Sequence, residues 1–249
     1  MQQLARMAAR GRFRSVEIVL TASVASRGPQ LWCASHFGAF SDPIVLLHAL
    51  ERQPRFLAAD GLFRVPVLRS LLRLVAAIPV RRTQDGGGAA NTAMFAASHD
   101  ALVAGDALVI FPEGVATEGA AVSPLRTGAA RIALGARAAG AAGPQLVAVG
   151  IHYQNRAALR QRVFVDVGEP LDLGTRLEAS GRDPATASDA DHAAVRALTA
   201  ELGRRPAPDR AALVAAVEAY RAALDAVGLS DAEVYRPGSR SRRRLLATG

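Results

Sequence analysis

A histidine and an aspartate stand close together just after an apolar stretch of the chain. The segment Ser35-His-Phe-Gly-Ala-Phe-Ser-Asp-Pro43 contains His36 and Asp42 and follows the predicted strand 30–34. Loops at strand ends are where α/β proteins usually build their sites. If this loop folds back, the Asp42 carboxylate can hold one imidazole nitrogen and leave the other to take a proton from a substrate hydroxyl. Gly38 would ease that tight return of the chain. The alternative interpretation is an Asp42 that caps the next helix beside an incidental His36.

A second candidate segment consists of Phe111, Pro112, Glu113 and Gly114, which end the continuous apolar run 107–111. Such a run is typical of a buried strand, so we expect Glu113 at the rim of the sheet. There its carboxylate could bind a substrate hydroxyl, and the Gly114 amide could face an anionic group. The alternative interpretation is a strand-ending turn with an exposed Glu113.

Two arginines, Arg81 and Arg82, end the predicted strand 78–82. A guanidinium group presents a fork of donors that suits phosphate oxygens, so both are candidate phosphate ligands. Side chains alternate across a strand, and the two therefore point to opposite faces. Only one of them is expected to reach a ligand.

In this order, the segments resemble the glycerolipid acyltransferase family, the bacterial lysophosphatidate and glycerol-3-phosphate acyltransferases. The resemblance covers roughly residues 15–170 and consists of four blocks: His36 with Asp42, Arg82 at the end of a strand, Phe-Pro-Glu-Gly at 111–114, and an apolar strand at 147–151. The stretch 125–134 also looks like the segment that follows Phe-Pro-Glu-Gly in the family. In it, Arg126 occupies a basic position ahead of a glycine.

The resemblance implies an O-acyltransferase of phospholipid synthesis or remodelling. It would move a fatty acyl group from acyl-CoA or an acyl carrier protein to a hydroxyl of a lysophospholipid or glycerol phosphate. His36 would act as the general base and Asp42 would orient it. Because the acceptor hydroxyl is itself the nucleophile, no acyl-enzyme, no metal and no cofactor besides the thioester co-substrate are expected.

The same resemblance implies the substrate-binding residues. Arg82 and Arg126 would hold the acceptor phosphate, while Glu113 and Gly114, within the Phe-Pro-Glu-Gly segment 111–114, would position the glycerol unit.

Three features depart from the commonest family pattern. Five residues separate His36 and Asp42 instead of four, a spacing familiar in a branch that resembles glycerol-3-phosphate and related acyltransferases. The fourth block has Gly150 or its neighbour where a proline is usual, and residues 115–117 lack the Thr-Arg-Ser often found after the glycine. The spacing leaves a second interpretation open, a catalytically inactive lipid-binding or membrane-adaptor protein with the same fold.

Strands alternate with helices along the chain, which indicates an α/β fold with a mixed, mostly parallel central sheet flanked by helices. The predicted strands are 16–20, 30–34, 55–58, 78–82, 107–111, 145–149 and 162–167. The predicted helices are 44–50, 66–76, 89–104, 123–139, 185–203 and 207–227. We divide the chain into a basic amphipathic segment 1–14, an acyltransferase domain 15–180, a helical C-terminal extension 181–235 packed on it, and a basic tail 236–249 that is expected to be disordered.

The charge is concentrated at the two ends of the chain. The 249 residues carry a net charge of +8 with 30 basic residues, all of them Arg. Residues 1–14 hold four Arg and 236–249 hold five, with no acid in either, so 15–235 has 21 Arg against 22 acids. A nucleic-acid enzyme would more often carry positive charge across its folded face, and no nucleic-acid partner is expected. Basic ends, and the helix 66–76 with its two Arg, fit an anionic membrane surface. We expect a cytoplasmic protein that is peripheral on the inner face of the cell membrane.

Other chemistry finds less support in the residues. A single cysteine, Cys33, excludes an intramolecular disulfide and a cysteine-built zinc site. A hydrolase that uses Ser35 or Ser41 with His36 is disfavoured because no Gly-x-Ser-x-Gly elbow is present. The remaining histidines have no carboxylate or cysteine partner at metal-ligand spacing and are interpreted as structural or surface residues: 48, 99, 152 and 192.

Overall fold

The chain divides into two compact units, residues 1–206 and 207–249. The computed structural model describes residues 2–20, 24, 26–50, 52–81, 91–114, 116, 124–153, 160–171, 173–179, 195–200, 226 and 228. All elements given below belong to the first unit. The boundary at 206 falls inside the extension predicted for 181–235. Of the predicted helix 207–227, only residue 226 is described, and the predicted tail 236–249 lies outside the described residues.

The first unit alternates helices and strands along most of its length. The elements are α1 (Gln2–Arg12), β1 (Phe13–Leu20), β2 (Gln30–Ala34), α2 (Ser41–Ala49), β3 (Arg55–Ala59), a 3-10 helix (Asp60–Arg64), α3 (Pro66–Leu74), β4 (Ile78–Val80), α4 (Thr92–Val103), β5 (Ala107–Ile110), α5 (Gly128–Ala138), β6 (Gln145–Tyr153), β7 (Gln161–Val167) and α6 (Leu173–Ala179). Residues 195–200 are also helical.

Seven strands form one sheet in the order β1-β7-β6-β2-β5-β3-β4. All neighbouring pairs are parallel except β6 and β7, which are antiparallel. The predicted mixed, mostly parallel α/β fold is therefore confirmed. Strands β2 to β6 all point the same way, so their last residues lie at one edge of the sheet, which we call the site edge. These last residues are Ala34, Ala59, Val80, Ile110 and Tyr153.

Successive side chains of a strand point to opposite faces of the sheet. Because the apolar residues of the central strands therefore lie on both faces, helices cover each face. In β2, Leu31 and Cys33 pack into a cluster with buried residues of α4, α5 and α6. Trp32 and Ala34 pack on the opposite face, in a cluster with buried residues of α1 and α2. The result is a helix–sheet–helix sandwich. Within the described part of the chain, no helix is long and apolar enough to cross a bilayer.

The observed elements follow the sequence prediction with shifts at their ends. Strand β6 runs four residues past its predicted end at 149, because beyond the end of β2 it keeps pairing with the antiparallel β7. Helix α5 begins at Gly128 instead of 123, after residues 124–127 that connect to the Phe-Pro-Glu-Gly segment. The basic amphipathic segment 1–14 is helical over Gln2–Arg12, and Ala9 is buried in the core. Helix α6 was missed.

Candidate active site

His36 and Asp42 form a hydrogen-bonded pair at the site edge. His36 lies two residues past the end of β2, and its Nδ1 is 2.8 Å from Asp42 Oδ2. The carboxylate is completely buried, whereas the His36 side chain is 20% exposed. A carboxylate only accepts hydrogen bonds, so Nδ1 carries the proton and Nε2 is left with its lone pair. This is the arrangement that general-base chemistry at Nε2 requires.

The loop between the two residues closes through backbone contacts at Gly38. The Gly38 amide donates to both Asp42 oxygens, at 3.0 and 2.9 Å, and the Gly38 carbonyl accepts from the amide of Ser41. A side chain at position 38 would overlap the Tyr153 hydroxyl and lie 2.5 Å from Asp42 Oδ1. Glycine is therefore needed here for space.

The alternative in which Asp42 caps the helix is wrong. Helix α2 begins at Ser41, its N-cap position is Phe40, and no side chain caps it. Asp42 lies inside the first turn, where its carboxylate turns back toward His36 instead of forward along the helix. Negative charge in that turn is still favoured by the helix dipole, which helps to explain how a fully buried carboxylate is tolerated.

Tyr153, which the sequence analysis did not single out, is the third side chain on this pair. Its hydroxyl donates to Asp42 Oδ1 at 2.5 Å, a short charge-assisted hydrogen bond. Burial and the charge of Asp42 raise the pKa of Tyr153 well above its usual value, so it stays protonated. In the sequence, Tyr153 is only a tyrosine that follows an apolar stretch. Nothing in that pattern indicates that its hydroxyl binds Asp42.

The Phe-Pro-Glu-Gly segment contacts His36 directly. The ring of Phe111 stacks on the imidazole, with 4.1 Å between centroids and 22° between planes. Glu113 Oε1 accepts the backbone amide of His36 at 2.9 Å, and Glu113 is only 3% exposed. The alternative of an exposed Glu113 is therefore wrong. Gly114 closes the turn with φ 76°, a left-handed conformation that favours glycine.

Arg126 lies against this same turn. Its amide donates to the Pro112 carbonyl at 2.8 Å, and its Nε is 3.4 Å from the Glu113 carbonyl. A Cβ on Gly114 would lie 2.8 Å from Nε, so the guanidinium passes directly over that glycine. The exposed side chain of Arg126 thus places a positive charge next to the Phe-Pro-Glu-Gly segment, which contacts His36.

The other predicted cationic position is only partly described. Arg82 lies outside the described residues. Arg81 follows the end of β4 and is exposed, with its Nε 3.9 Å from Asp60. Its backbone exchanges hydrogen bonds with the Asn91 side chain at 3.1 and 3.0 Å. The structure therefore brings His36, Asp42, the segment 111–114 and Arg126 together.

The fourth block, residues 147–151 of β6, forms hydrogen bonds with Ser35, which directly precedes His36. Ser35 donates its amide to the Val149 carbonyl at 3.0 Å, and its hydroxyl accepts the Ile151 amide at 2.9 Å. Ser35 therefore serves as a buried link between β2 and β6.

Burial raises the pKa of the Cys33 thiol to about 12, so this cysteine is a protonated core residue at neutral pH.

Comparison with known proteins identifies the family. The sequence pattern of the Acyltransferase family matches residues 15–152, more than half of the chain. The chain belongs to the acyltransferase family. The match begins in β1 and ends one residue before Tyr153, and it contains His36, Asp42, the segment 111–114 and Arg126.

The fold of this acyltransferase is also found in a solved structure. It is similar to the crystal structure of the 1-acyl-sn-glycerophosphate (LPA) acyltransferase PlsC from Thermotoga maritima, with a TM-score of 0.55 and 17% identity. The likeness covers 82% of this chain and 75% of that one. No curated protein sequence matches the chain.

Proposed function

We propose that this acyltransferase moves a fatty acyl group from an acyl thioester to a hydroxyl of a lysoglycerophosphate or glycerol phosphate. The observation that carries the proposal is the His36–Asp42 pair, because it leaves Nε2 of a partly exposed imidazole as a base. The family and the fold shared with a lysophosphatidate acyltransferase support the reaction class and the acceptor class.

The reaction needs one base and no covalent intermediate. Nε2 of His36 takes the proton of the acceptor hydroxyl as its oxygen attacks the thioester carbonyl, and Asp42 stabilises the imidazolium. Collapse of the tetrahedral intermediate breaks the carbon–sulfur bond. The thiolate of CoA or acyl carrier protein leaves, and the imidazolium returns the proton to it. The products are an ester and a free thiol.

The acceptor phosphate is proposed to bind to arginines at the site edge. Arg126 is the described candidate, since its guanidinium lies over the turn that contacts His36. Arg82 is retained from the family resemblance as a second ligand. Glu113 and Gly114 are proposed to set the position of the glycerol unit, with Glu113 also fixing the backbone of His36.

The enzyme is proposed to work at the inner face of the cell membrane, docked through α3. Val67, Leu71 and Leu74 form one face of this helix and are 71%, 52% and 54% exposed. Arg69 and Arg73 lie on the polar side of the helix, away from these three residues, and this amphipathic arrangement suits the interface of an anionic bilayer. The helix follows β3 through a short 3-10 turn, so its first residues lie near the site edge.

Acyl transfer by the purified protein tests the proposal. Release of free thiol from one acyl-CoA is measured with a panel of phosphorylated and unphosphorylated glycerol acceptors. We expect transfer to phosphorylated acceptors and a loss of about 10³-fold or more in His36→Ala. His48→Gln, at the far end of α2, is the control and should retain activity. If wild type and His36→Ala bind lipid equally and neither transfers acyl groups, the inactive adaptor is the correct interpretation.

Membrane docking is tested by sedimentation with vesicles. Wild type should bind vesicles that contain phosphatidylglycerol more strongly than pure phosphatidylcholine. Leu71→Gln with Leu74→Gln should weaken binding at least about tenfold, because each half-exposed leucine adds on the order of 1 kcal/mol when buried. Val103→Gln is the control, since this 47% exposed residue ends α4 at the opposite edge of the sheet. Equal binding by all three proteins would exclude α3 as the docking surface.

A further inference from the structure

Tyr153, Asp42 and His36 form one hydrogen-bonded chain across three elements of the fold. The Tyr153 hydroxyl donates to Asp42 Oδ1, and Asp42 Oδ2 accepts from His36 Nδ1. The two carboxylate oxygens are thus divided between the tyrosine and the histidine. We infer that Tyr153 is a positioning residue of the acyl transfer reaction, which aims Asp42 at His36 and limits how strongly that carboxylate attracts the imidazolium. This inference rests on the proposed function and names a residue that supports its base.

The packing makes Tyr153 a fixed point. It is the last residue of β6, its backbone pairs with Val163 of β7, and it is 6% exposed. Its ring lies 6.2 Å from that of Phe13, where β1 begins. Asp42, by contrast, is on α2. The hydroxyl therefore links a residue of α2 to the end of β6, and Asp42 Oδ2 is left facing the imidazole.

The hydrogen bond also has an electrostatic effect. A donor on Asp42 withdraws part of the carboxylate's charge and so weakens its attraction for the imidazolium. Without that donor, the carboxylate would stabilise the protonated imidazole more strongly. The neutral, active form of His36 would then appear only at higher pH.

A backbone amide and three charged side chains surround this hydrogen-bonded chain. The Gly38 amide donates to both Asp42 oxygens, and Glu113 engages the His36 backbone. Arg126 lies over the carbonyl of Glu113. The positive charge of Arg12, at the end of α1, lowers the pKa of Tyr153, against the larger effects of burial and Asp42 that raise it.

The experiment removes only the hydroxyl, with Tyr153→Phe. We expect kcat to fall about tenfold, the rate equivalent of one hydrogen bond to a charged group. KM for the acceptor should stay within about twofold, and the acidic limb of the kcat/KM profile should move up by about half a pH unit. Ser98→Ala is the matched control, because it also removes a buried hydroxyl but on the opposite face of the sheet. It should leave the pH profile unchanged.

A double-mutant cycle separates positioning from packing. In the Asp42→Asn background, Tyr153→Phe should have little further effect, because the hydroxyl acts through the carboxylate. An equal tenfold loss in both backgrounds, or a Tyr153→Phe enzyme whose kcat and pH profile match wild type, would overturn the inference.

A second substitution has the opposite expected sign and keeps the ring. Incorporation of fluorotyrosine into a Tyr220→Phe, Tyr235→Phe background labels position 153 alone and makes the hydroxyl a stronger donor. The acidic limb should then move to lower pH. A shift in the same direction as Tyr153→Phe, or none, would contradict the inference.

The inference can fail separately from the proposed function. The pH midpoint of the His36 imidazole, followed by NMR, should rise in Tyr153→Phe whether or not any acyl acceptor has been found. If wild type transfers no acyl group, the proposed function fails, and this midpoint still decides the role of Tyr153. An unchanged midpoint rejects that role.

Discussion

Replacing Gly38 by alanine is the sharpest test of how the His36 loop is built. A Cβ at this position would overlap the Tyr153 hydroxyl, and it would lie 2.5 Å from both Tyr153 Cζ and Asp42 Oδ1. Real Cβ atoms do not approach other atoms this closely, and the tyrosine ring is packed against Phe13 and cannot swing away freely. Either Asp42 or Tyr153 must therefore move. A shift of Asp42 disturbs its contact with His36, and a shift of Tyr153 removes the hydrogen bond that holds Asp42.

The expected size of the effect follows from these distances. Overpacking of this kind costs about 1–3 kcal/mol of unfolding free energy. A displacement of Asp42 by about 1 Å would break its 2.8 Å contact with His36 and reduce kcat by on the order of 10²-fold. We therefore expect Gly38→Ala to lose activity even at a temperature at which the variant is still folded.

The assay compares Gly38→Ala with Gly61→Ala by thermal denaturation and by thiol release from acyl-CoA. Gly61 lies in the 3-10 helix, and a Cβ there would meet nothing within 4 Å. The control should keep its activity. If Gly38→Ala keeps kcat within threefold of wild type and denatures at the same temperature, the close packing of Gly38, Tyr153 and Asp42 does not support the base, and the reasoning is refuted.

Three further substitutions test two side chains of the site and one of the core. Glu113→Gln keeps an oxygen that can accept the His36 amide, so it should retain more activity than Glu113→Ala; equal losses in kcat would instead point to a need for the charge. Arg126→Gln should raise KM for phosphorylated acceptors about tenfold or more and leave unphosphorylated ones unaffected, whereas Arg137→Gln at the far end of α5 should change neither. The Cys33 pKa is raised from 9.0 to about 12, so the thiol's contribution to the free energy of unfolding, up to about 4 kcal/mol, is complete below pH 9 and is lost as pH rises to 12. Denaturant titrations between pH 9 and 12 should show a shallower decline of that free energy for Cys33→Ala than for wild type, and identical slopes would contradict this assignment.

The sequence was enough to predict the sheet and the contact between His36 and Asp42 because both depend on short-range pattern. Apolar runs such as 30–34 and 107–111 are long enough to mark buried strands, and strand ends collect candidate residues at one edge. His36 and Asp42 are only six positions apart, between the end of β2 and the first turn of α2. Their contact could therefore be inferred from spacing once a turn was assumed.

What the sequence could not predict depends on long-range contacts. Tyr153 stands 111 positions from Asp42, and only the register of β6 with β2 and β7 brings its hydroxyl to the carboxylate. Glu113 is similarly far from His36, and its burial follows from the order β2–β5 in the sheet. Helix α6 is short, and its seven residues gave too little periodicity for a prediction.

The five-residue spacing between His36 and Asp42 is the feature that left the inactive-adaptor interpretation open. The backbone of the loop adjusts to the additional residue at two places. Ala39 takes a left-handed φ of 48°, and the Ser41 amide donates to the Gly38 carbonyl at 2.9 Å. These two adjustments let the chain double back so that Asp42 still reaches Nδ1 at 2.8 Å. A left-handed alanine is less favourable than a glycine there, and such strain persists only where the surroundings fix it, here through the contacts on Asp42. The spacing therefore gives no ground for treating the site as inactive, and the adaptor interpretation now depends on the outcome of the acyl-transfer assay alone.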